Sequence, residues 1–246
     1  MRLLILGGTT EASALARHLA GRRDIAPVLS LAGRTERPTL PPIPCRVGGF
    51  GGIEGLAAYL RAEAIAAVID ATHPFAARMS AHAAAACTET GVPLAAFTRE
   101  GWDARLGDDW TSVVDLDAAV EALGEAPRRV FLTSGRLGLA AFRAAPQHDY
   151  LLRSIDPPPE ADRPSRCEVV LGRGPFDVAA ESALMRRHGI EILVTKNSGG
   201  DRAKLDAARS LGVPVVLVER PAAIGGTTFT TLDAVLAWID NLDTTD

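Results

Sequence analysis

The sequence predicts an α/β protein made of two similar halves, each on a mostly parallel sheet. Three observations lead there. Short apolar runs alternate with longer amphipathic stretches along nearly the whole chain, as repeated strand–helix–strand units require. The alternation breaks once, over residues 98–115, and then resumes. A closing phrase also occurs twice. Gly91-Val92-Pro93 leads into an apolar strand and Thr98-Arg99, and Gly212-Val213-Pro214 leads into another and Glu219-Arg220. Each time a glycine stops a helix, a proline follows and a strand runs on. Two halves facing each other, with ligands in an interdomain cleft, are expected.

In the first half, Leu3–Leu6 reads as a buried strand and Glu11–Gly21 as a helix with Leu15 and Leu19 on one side. Ala26–Leu31 is a second strand, and Cys45–Val47 a third after the proline-rich stretch 38–44. Helix Ile53–Ala64, strand Ala66–Ile69, the alanine-rich helix Phe75–Thr90 and strand Leu94–Phe97 complete a domain over 1–98. Residues 99–115 are polar, hold Trp102 and Trp110 without a period, and read as a linker. The second domain, 116–246, begins with helix Leu116–Leu123, strand Arg129–Leu132, helix Arg136–Ala144 and strand Tyr150–Ile155. After the proline-rich loop 157–164 come strand Glu168–Leu171, helix Phe176–His188, strand Glu191–Val194 and helix Gly200–Ser210. Strand Val213–Val218 and helix Leu232–Asn241 close it.

Composition removes several functions. Apolar residues make up 47% of the 246 and charged residues 23%, enough for a real core, so a disordered chain is excluded. A formal charge of −4 argues against nucleic acid as a partner, since phosphate backbones call for a basic excess. No apolar run approaches the roughly 18–20 residues of a membrane helix. The start is too short in apolar residues for a secretory leader, so a cytoplasmic protein is expected. Cys45, Cys87 and Cys167 form no CxxC pair, and no clustered His, Cys and carboxylate set suggests a metal. A Walker A spacing is absent, which argues against nucleotide hydrolysis.

The segments fit for chemistry are strand-to-helix turns. Gly7-Gly8-Thr9-Thr10-Glu11-Ala12 follows the first strand. It matches a dinucleotide fingerprint at Gly7 and Ala12 and departs from it at Thr9, whose hydroxyl is a candidate donor. The following helix start offers free N–H groups to a pyrophosphate. Arg34, just past the second strand, stands where NAD enzymes keep an acid for the ribose 2′-hydroxyl; a base there suits a 2′-phosphate, hence NADP(H). Thr72-His73-Pro74-Phe75 follows another strand, with Pro74 suited to the first helical position. Ser134-Gly135-Arg136, Arg173 within Gly172–Phe176, and Lys196-Asn197-Ser198-Gly199 occupy comparable turns. Such basic turns in an acidic chain suggest a large polyanionic ligand.

Of 26 basic residues 24 are arginine; only Lys196 and Lys204 are lysine. An arginine-biased chain that keeps two lysines close together points to sites for a compact ammonium able to lose a proton. Asp201 stands three residues before Lys204, on the same face of the expected helix, and could orient it. Lys204, Asp201 and Lys196 are the candidate catalytic residues.

Together these segments resemble the precorrin-6A reductase family of cobalamin biosynthesis. The resemblance rests on Gly7–Ala12, Asp70-Ala71-Thr72-His73-Pro74-Phe75-Ala76, Leu132–Arg136, Gly172–Phe176, Val194–Gly200 with Lys204–Arg209, and Glu219-Arg220-Pro221. One departure is Arg99-Glu100-Gly101-Trp102, where the family usually has Arg-Pro-x-Trp. The resemblance implies two Rossmann-like domains, NADPH as cofactor and a carboxylate-rich tetrapyrrole as substrate. Gly8 to Glu11, Arg34 and Thr72 to Phe75 would then serve the cofactor. The basic turns of the second half would serve the substrate. The implied reaction is hydride transfer to the C18=C19 bond of precorrin-6A, or of its cobalt form, giving precorrin-6B. Read without the resemblance, the residues also allow a non-enzymatic NADP(H) sensor or a two-domain group transferase using a nucleotide-linked donor.

Overall fold

The computed structural model describes residues 1–33, 40–136, 138–222 and 226–242. The chain forms two compact units, one of Met1–Glu100 with Pro221–Asp246, the other of Gly101–Arg220. The first unit opens with β1 (Arg2–Leu6), α1 (Thr10–Leu19), β2 (Ala26–Leu31), β3 (Cys45–Val47), α2 (Gly52–Ala62), β4 (Ala67–Asp70), α3 (Ala77–Thr90) and β5 (Leu94–Phe97). The second holds β6 (Trp110–Val113), α4 (Leu116–Ala122), β7 (Arg129–Leu132), a 3-10 segment over Leu139–Ala144 and β8 (Asp149–Ser154). It continues with β9 (Cys167–Leu171), α5 (Val178–Arg187), β10 (Ile192–Lys196), α6 (Ala203–Leu211) and β11 (Val215–Val218). The chain then returns to the first unit for β12 (Thr227–Phe229) and α7 (Leu232–Leu242).

Both sheets are parallel throughout, in the orders β12-β5-β4-β1-β2-β3 and β6-β11-β10-β7-β8-β9. With β7 matched to β1, five of the six positions correspond in chain order; the sixth is filled by the first strand of its unit, β6, in one sheet and by the last, β12, in the other. The repeated phrase marks equivalent places in them. Gly91 and Gly212 both cap a helix in the left-handed region, at φ +72° and +65°. Val92 donates its N–H to Cys87 and Val213 donates to Ala208. The carbonyls of Pro93 and Pro214 accept from Val68 and Leu193 on the neighbouring strand, each at 2.9 Å.

The strands are short and apolar because both faces are covered. In the first unit Leu3 and Ile5 pack with Leu15 and Leu19 of α1 and with Val235 and Ile239 of α7. Leu4 and Leu6, pointing the other way, pack with Leu56 and Leu60 of α2 and Ala83 and Ala86 of α3. The second unit buries Phe131, Leu151, Leu193, Leu205 and Leu217 around Trp102.

The expected domain limits of 1–98, 99–115 and 116–246 differ from this division. Residues 110–113, read as linker, pair in parallel with β11, and Trp102 is buried in the second unit's core. Residues 227–242, read as the end of the second domain, complete the first: β12 pairs with β5, and α7 packs against α1. Three helices also start later than expected, among them α5, which begins at Val178 behind the capping Asp177. α3 begins at Ala77 because Pro74 and Phe75 form a turn, and α6 begins at Ala203 because Gly199 and Gly200 are left-handed. The described residues of 136–144 form no α-helix; Gly138, at φ +87°, precedes a 3-10 segment.

Candidate functional site

In parallel sheets of this order ligands gather at the carboxyl ends of the strands, where neighbouring connections diverge. In the first unit that point lies between β1 and β4. After β1, Gly7 donates its N–H to the Ser30 carbonyl at 2.9 Å. A Cβ on Gly7 would come within 2.5 Å of Leu29 Cδ1, so the position leaves no room for a side chain. Gly8 has φ +118° and open space beside it. Thr9 caps α1: its Oγ1 accepts from Ala12 N at 3.1 Å and donates to the Ala71 carbonyl at 2.7 Å. The hydroxyl expected to face a phosphate is therefore committed elsewhere. Its single proton joins the turn after β1 to the turn after β4.

Thr10 Oγ1 donates to Glu11 Oε2 at 3.1 Å, and Glu11 Oε1 lies 3.6 Å from Arg99 Nη1. A carboxylate has no proton to give a phosphate. Glu11's role here is to hold a guanidinium at the start of α1. Arg99 is a residue sequence reading missed, because it was counted as linker; it follows β5 and reaches across to α1.

After β4, Asp70 Oδ1 accepts from both Thr72 N (3.1 Å) and Thr72 Oγ1 (2.6 Å). His73 Nδ1 accepts from Phe75 N at 3.2 Å, and the His73 carbonyl accepts from Ala76 N at 2.7 Å. Thr72, His73, Pro74 and Phe75 are half-buried in this turn. Both first-unit turns fit a dinucleotide. The glycines clear the backbone's approach, a ten-residue helix points its N-terminus at the site, and Arg99 adds a cation. Arg34 lies outside the described residues.

Arg46 was also missed. On β3 it stands opposite Ser30, the residue one before the end of β2. Its guanidinium donates to Ser30 Oγ (2.7 Å) and to the carbonyls of Gly48 (3.1 Å) and Gly49 (3.0 Å). It lies 3.8 Å over the Phe50 ring. The run Gly48-Gly49-Phe50-Gly51-Gly52 just past a strand end was the available signal.

In the second unit the corresponding point lies between β7 and β10. Thr133 N donates to the Val194 carbonyl at 3.0 Å, joining the two strand ends. Ser134 is 8% exposed, and its Oγ has no hydrogen-bond partner among the described residues. Gly135 is left-handed at φ +74° and Arg136 is half-buried beside it. Across from them Lys196 ends β10 half-buried, followed by Ser198 and by Gly199 at φ +69°. Ser134, Gly135, Arg136, Lys196 and Ser198 thus lie at one edge of one sheet.

Asn197 is turned into the protein, and Asp201 and Lys204 each have a neighbour of their own. Asn197 is buried, its side chain bonded to both the N–H and the carbonyl of Trp102 and to Glu219. Asp201 is exposed, and its Oδ1 accepts from the N–H of Ala203, the first residue of α6, at 2.8 Å. Lys204 Nζ sits 4.8 Å from the centre of the Trp102 ring. Arg173 is exposed in the turn before α5. The following Phe176 stacks against Arg153 at 3.9 Å, and Arg153 pairs with buried Glu181 at 2.7 Å. No group of three or more His, Cys, Asp or Glu that could hold a metal occurs among the described residues. No described helix is long and apolar enough to cross a membrane.

Comparison with known proteins agrees with this architecture. The chain is 53% identical over 240 residues to a precorrin-6A reductase of Rhodobacter capsulatus, covering 97% of this chain and 95% of that protein. It is 48% identical over 244 residues to the precorrin-6A reductase of Rhodococcus erythropolis, with 98% of each covered. A solved structure described as CobK precorrin-6A reductase superimposes with a TM-score of 0.92 at 52% identity, covering 98% of this chain and 97% of that one. Residues 2–240 match the family described as Precorrin-6x reductase CbiJ/CobK, and the chain belongs to that family.

Proposed function

We propose that this chain reduces the C18=C19 bond of cobalt-free precorrin-6A to give precorrin-6B, with NADPH held by the first unit and the substrate's carboxylates by the second. Reduction of precorrin-6A in cobalamin biosynthesis is the family's reaction, and both relatives named above carry the cobalt-free name. NADPH, when bound, supplies the hydride; the protein's share is to position and neutralise.

The observation that carries the cofactor assignment is the pair of turns after β1 and β4, joined by the Thr9 hydroxyl at the divergence point of the sheet. Gly8 and the first amides of α1 form the pyrophosphate cradle. Arg99 adds positive charge, and Thr72 to Phe75 flank the site from the β4 side. Arg34 is assigned to the 2′-phosphate on its sequence position alone. For the substrate, the support is the unpartnered buried Ser134 hydroxyl beside Gly135, Arg136, Lys196 and Ser198, a donor set suited to carboxylates. A buried hydroxyl without a partner is costly, so a ligand that bonds it gains more than an exposed one would offer.

The test is incubation with NADPH and precorrin-6A, following loss of reduced nicotinamide absorbance and formation of precorrin-6B. NADPH should raise the melting temperature and support turnover; NADH should do less of both. Binding of NADP(H) without turnover of the tetrapyrrole would sink the proposal.

A further inference from the structure

The structure assigns Arg46 a specificity role: we propose that its guanidinium selects the 2′-phosphate of the dinucleotide, at the rim formed by the ends of β2 and β3. The inference rests on the NADPH reading above and adds a residue that reading did not contain.

The argument starts from topology. A dinucleotide whose pyrophosphate lies at the turn after β1 runs its adenosine half toward the end of β2, because β2 is the neighbour on that side. Ser30 belongs to that end, and Arg46 is its register partner on β3. A cation is thus built into the adenosine side of the sheet edge.

The side chain's surroundings are unusual for a structural arginine. Among the described residues its hydrogen bonds go to neutral oxygens, the Ser30 hydroxyl and the carbonyls of Gly48 and Gly49. No carboxylate there offsets its charge. Most other partly buried arginines whose side-chain partners lie among the described residues face acids, as Arg153 faces Glu181 and Arg202 faces Asp108. The Phe50 ring at 3.8 Å and the Tyr59 ring at 5.3 Å screen Arg46 from water and hold its plane. A half-buried charge of this kind acts more strongly on a nearby anion than an exposed one. Three acceptors use three of its five N–H groups, which leaves donors for a ligand. Around it Gly48, Gly51 and Gly52 are left-handed, and a Cβ on any of them would meet only open space. The loop past β3 therefore presents bare backbone beside the cation.

The experiment compares two fragments that differ only in the 2′-phosphate, adenosine 2′,5′-bisphosphate and 5′-AMP, by calorimetry and thermal shift on the full chain. Wild type should bind the bisphosphate at least tenfold more tightly. Arg46→Gln, which keeps hydrogen-bonding capacity but no charge, should lose most of that ratio while 5′-AMP binds within threefold of wild type. Equal weakening of both fragments would make Arg46 a structural residue and overturn the assignment, as would an unchanged ratio. Should Arg46→Gln fail to fold, the wild-type chain decides. The Arg46 Nε–Hε resonance, identified by its loss in Arg46→Lys, should shift with the bisphosphate and not with 5′-AMP; no shift, or equal shifts, would overturn the assignment. A wild type that shows no preference for the bisphosphate removes the NADPH reading itself. A preference that survives Arg46→Gln removes only the role of Arg46.

Discussion

Asn197 holds Trp102 by both ends of its peptide: Oδ1 accepts the Trp102 N–H at 2.7 Å and Nδ2 donates to the Trp102 carbonyl at 3.1 Å. The same Nδ2 reaches Glu219 at 3.1 Å, and the Asn197 carbonyl accepts from Arg220 Nε at 2.7 Å. Residues 101–102 and 219–220 are where the chain enters and leaves the second unit. One buried amide fastens both passages.

Asn197→Ala should therefore be costly. It leaves a buried N–H and a buried carbonyl unpaired, a loss of about 3 kcal/mol in urea unfolding. Asn197→Asp should be worse than Ala near neutral pH, since a carboxylate would face the Trp102 carbonyl and Glu219, and should recover toward acid pH. A loss below about 1 kcal/mol for Ala would show that water replaces the amide.

Gly7→Ala should destabilise by about 1–3 kcal/mol through overpacking against buried Leu29. The clash involves Leu29 Cδ1 at 2.5 Å, so Leu29→Val, which lacks that atom, should offset part of the loss. The double mutant should be more stable than the two single losses added together. Strict additivity would place the cost of Gly7→Ala somewhere else.

Thr9→Val removes the cap of α1 and the bond to Ala71, and should cost about 1–2 kcal/mol. Thr9→Ser keeps both bonds and should hold NADPH affinity within threefold. A tenfold loss of affinity in Thr9→Ser would mean that the threonine methyl touches the cofactor.

The lysines should separate. Lys196→Met should raise the KM for precorrin-6A about tenfold with a smaller change in kcat, and Lys196→Arg should retain most activity, as expected of a charge that binds a carboxylate. Lys204→Arg keeps a cation over Trp102 and should stay near wild type. A large fall in kcat for Lys204→Arg, with NADPH binding intact, would instead make Lys204 the proton donor.

His148 should shape the acid limb of stability. It is fully buried, its Nδ1 accepts from Arg128 N, and burial lowers its pKa from 6.5. The unfolded chain then binds this proton more readily, so the contribution is complete above about pH 6.5 and is lost as pH falls toward the lower folded value. Unfolding midpoints measured from pH 8 to 5 should decline below 6.5, and His148→Gln should flatten that decline. An unchanged slope in the variant would assign the decline to other groups.

The fold was legible where burial is two-sided. Leu3–Leu6, Val130–Leu132 and Leu193–Val194 are continuous apolar runs because helices cover both faces of their sheets. Two of the four edge strands were not. Trp110–Val113 and Thr227–Phe229 are largely exposed, one neighbour short, and carry no apolar run to read. Amphipathicity revealed that α7 buries one face, but periodicity says nothing about the partner, and its true partner is α1, more than two hundred residues earlier. At the site, the turns were visible from glycines following strands. Their hydrogen bonds were not, because Thr9 and Asn197 look like ligand donors until the acceptors Ala71 and Trp102 are folded beside them. Arg46 and Arg99 were hidden among 24 arginines, where a single one carries no spacing signal.

The late return of β12 has a consequence for synthesis on the ribosome. When residue 220 has been made, every strand of the second sheet already exists, while β5 of the first still shows an open edge. That edge, Leu94–Phe97, is apolar and unpaired until Thr227–Phe229 emerges, and an exposed apolar edge is a template for other chains. A chain terminated after Arg220 should therefore aggregate through β5. A synthetic peptide spanning residues 221–242, supplied in trans, should suppress that aggregation, with recovery of monomer by gel filtration as the measure.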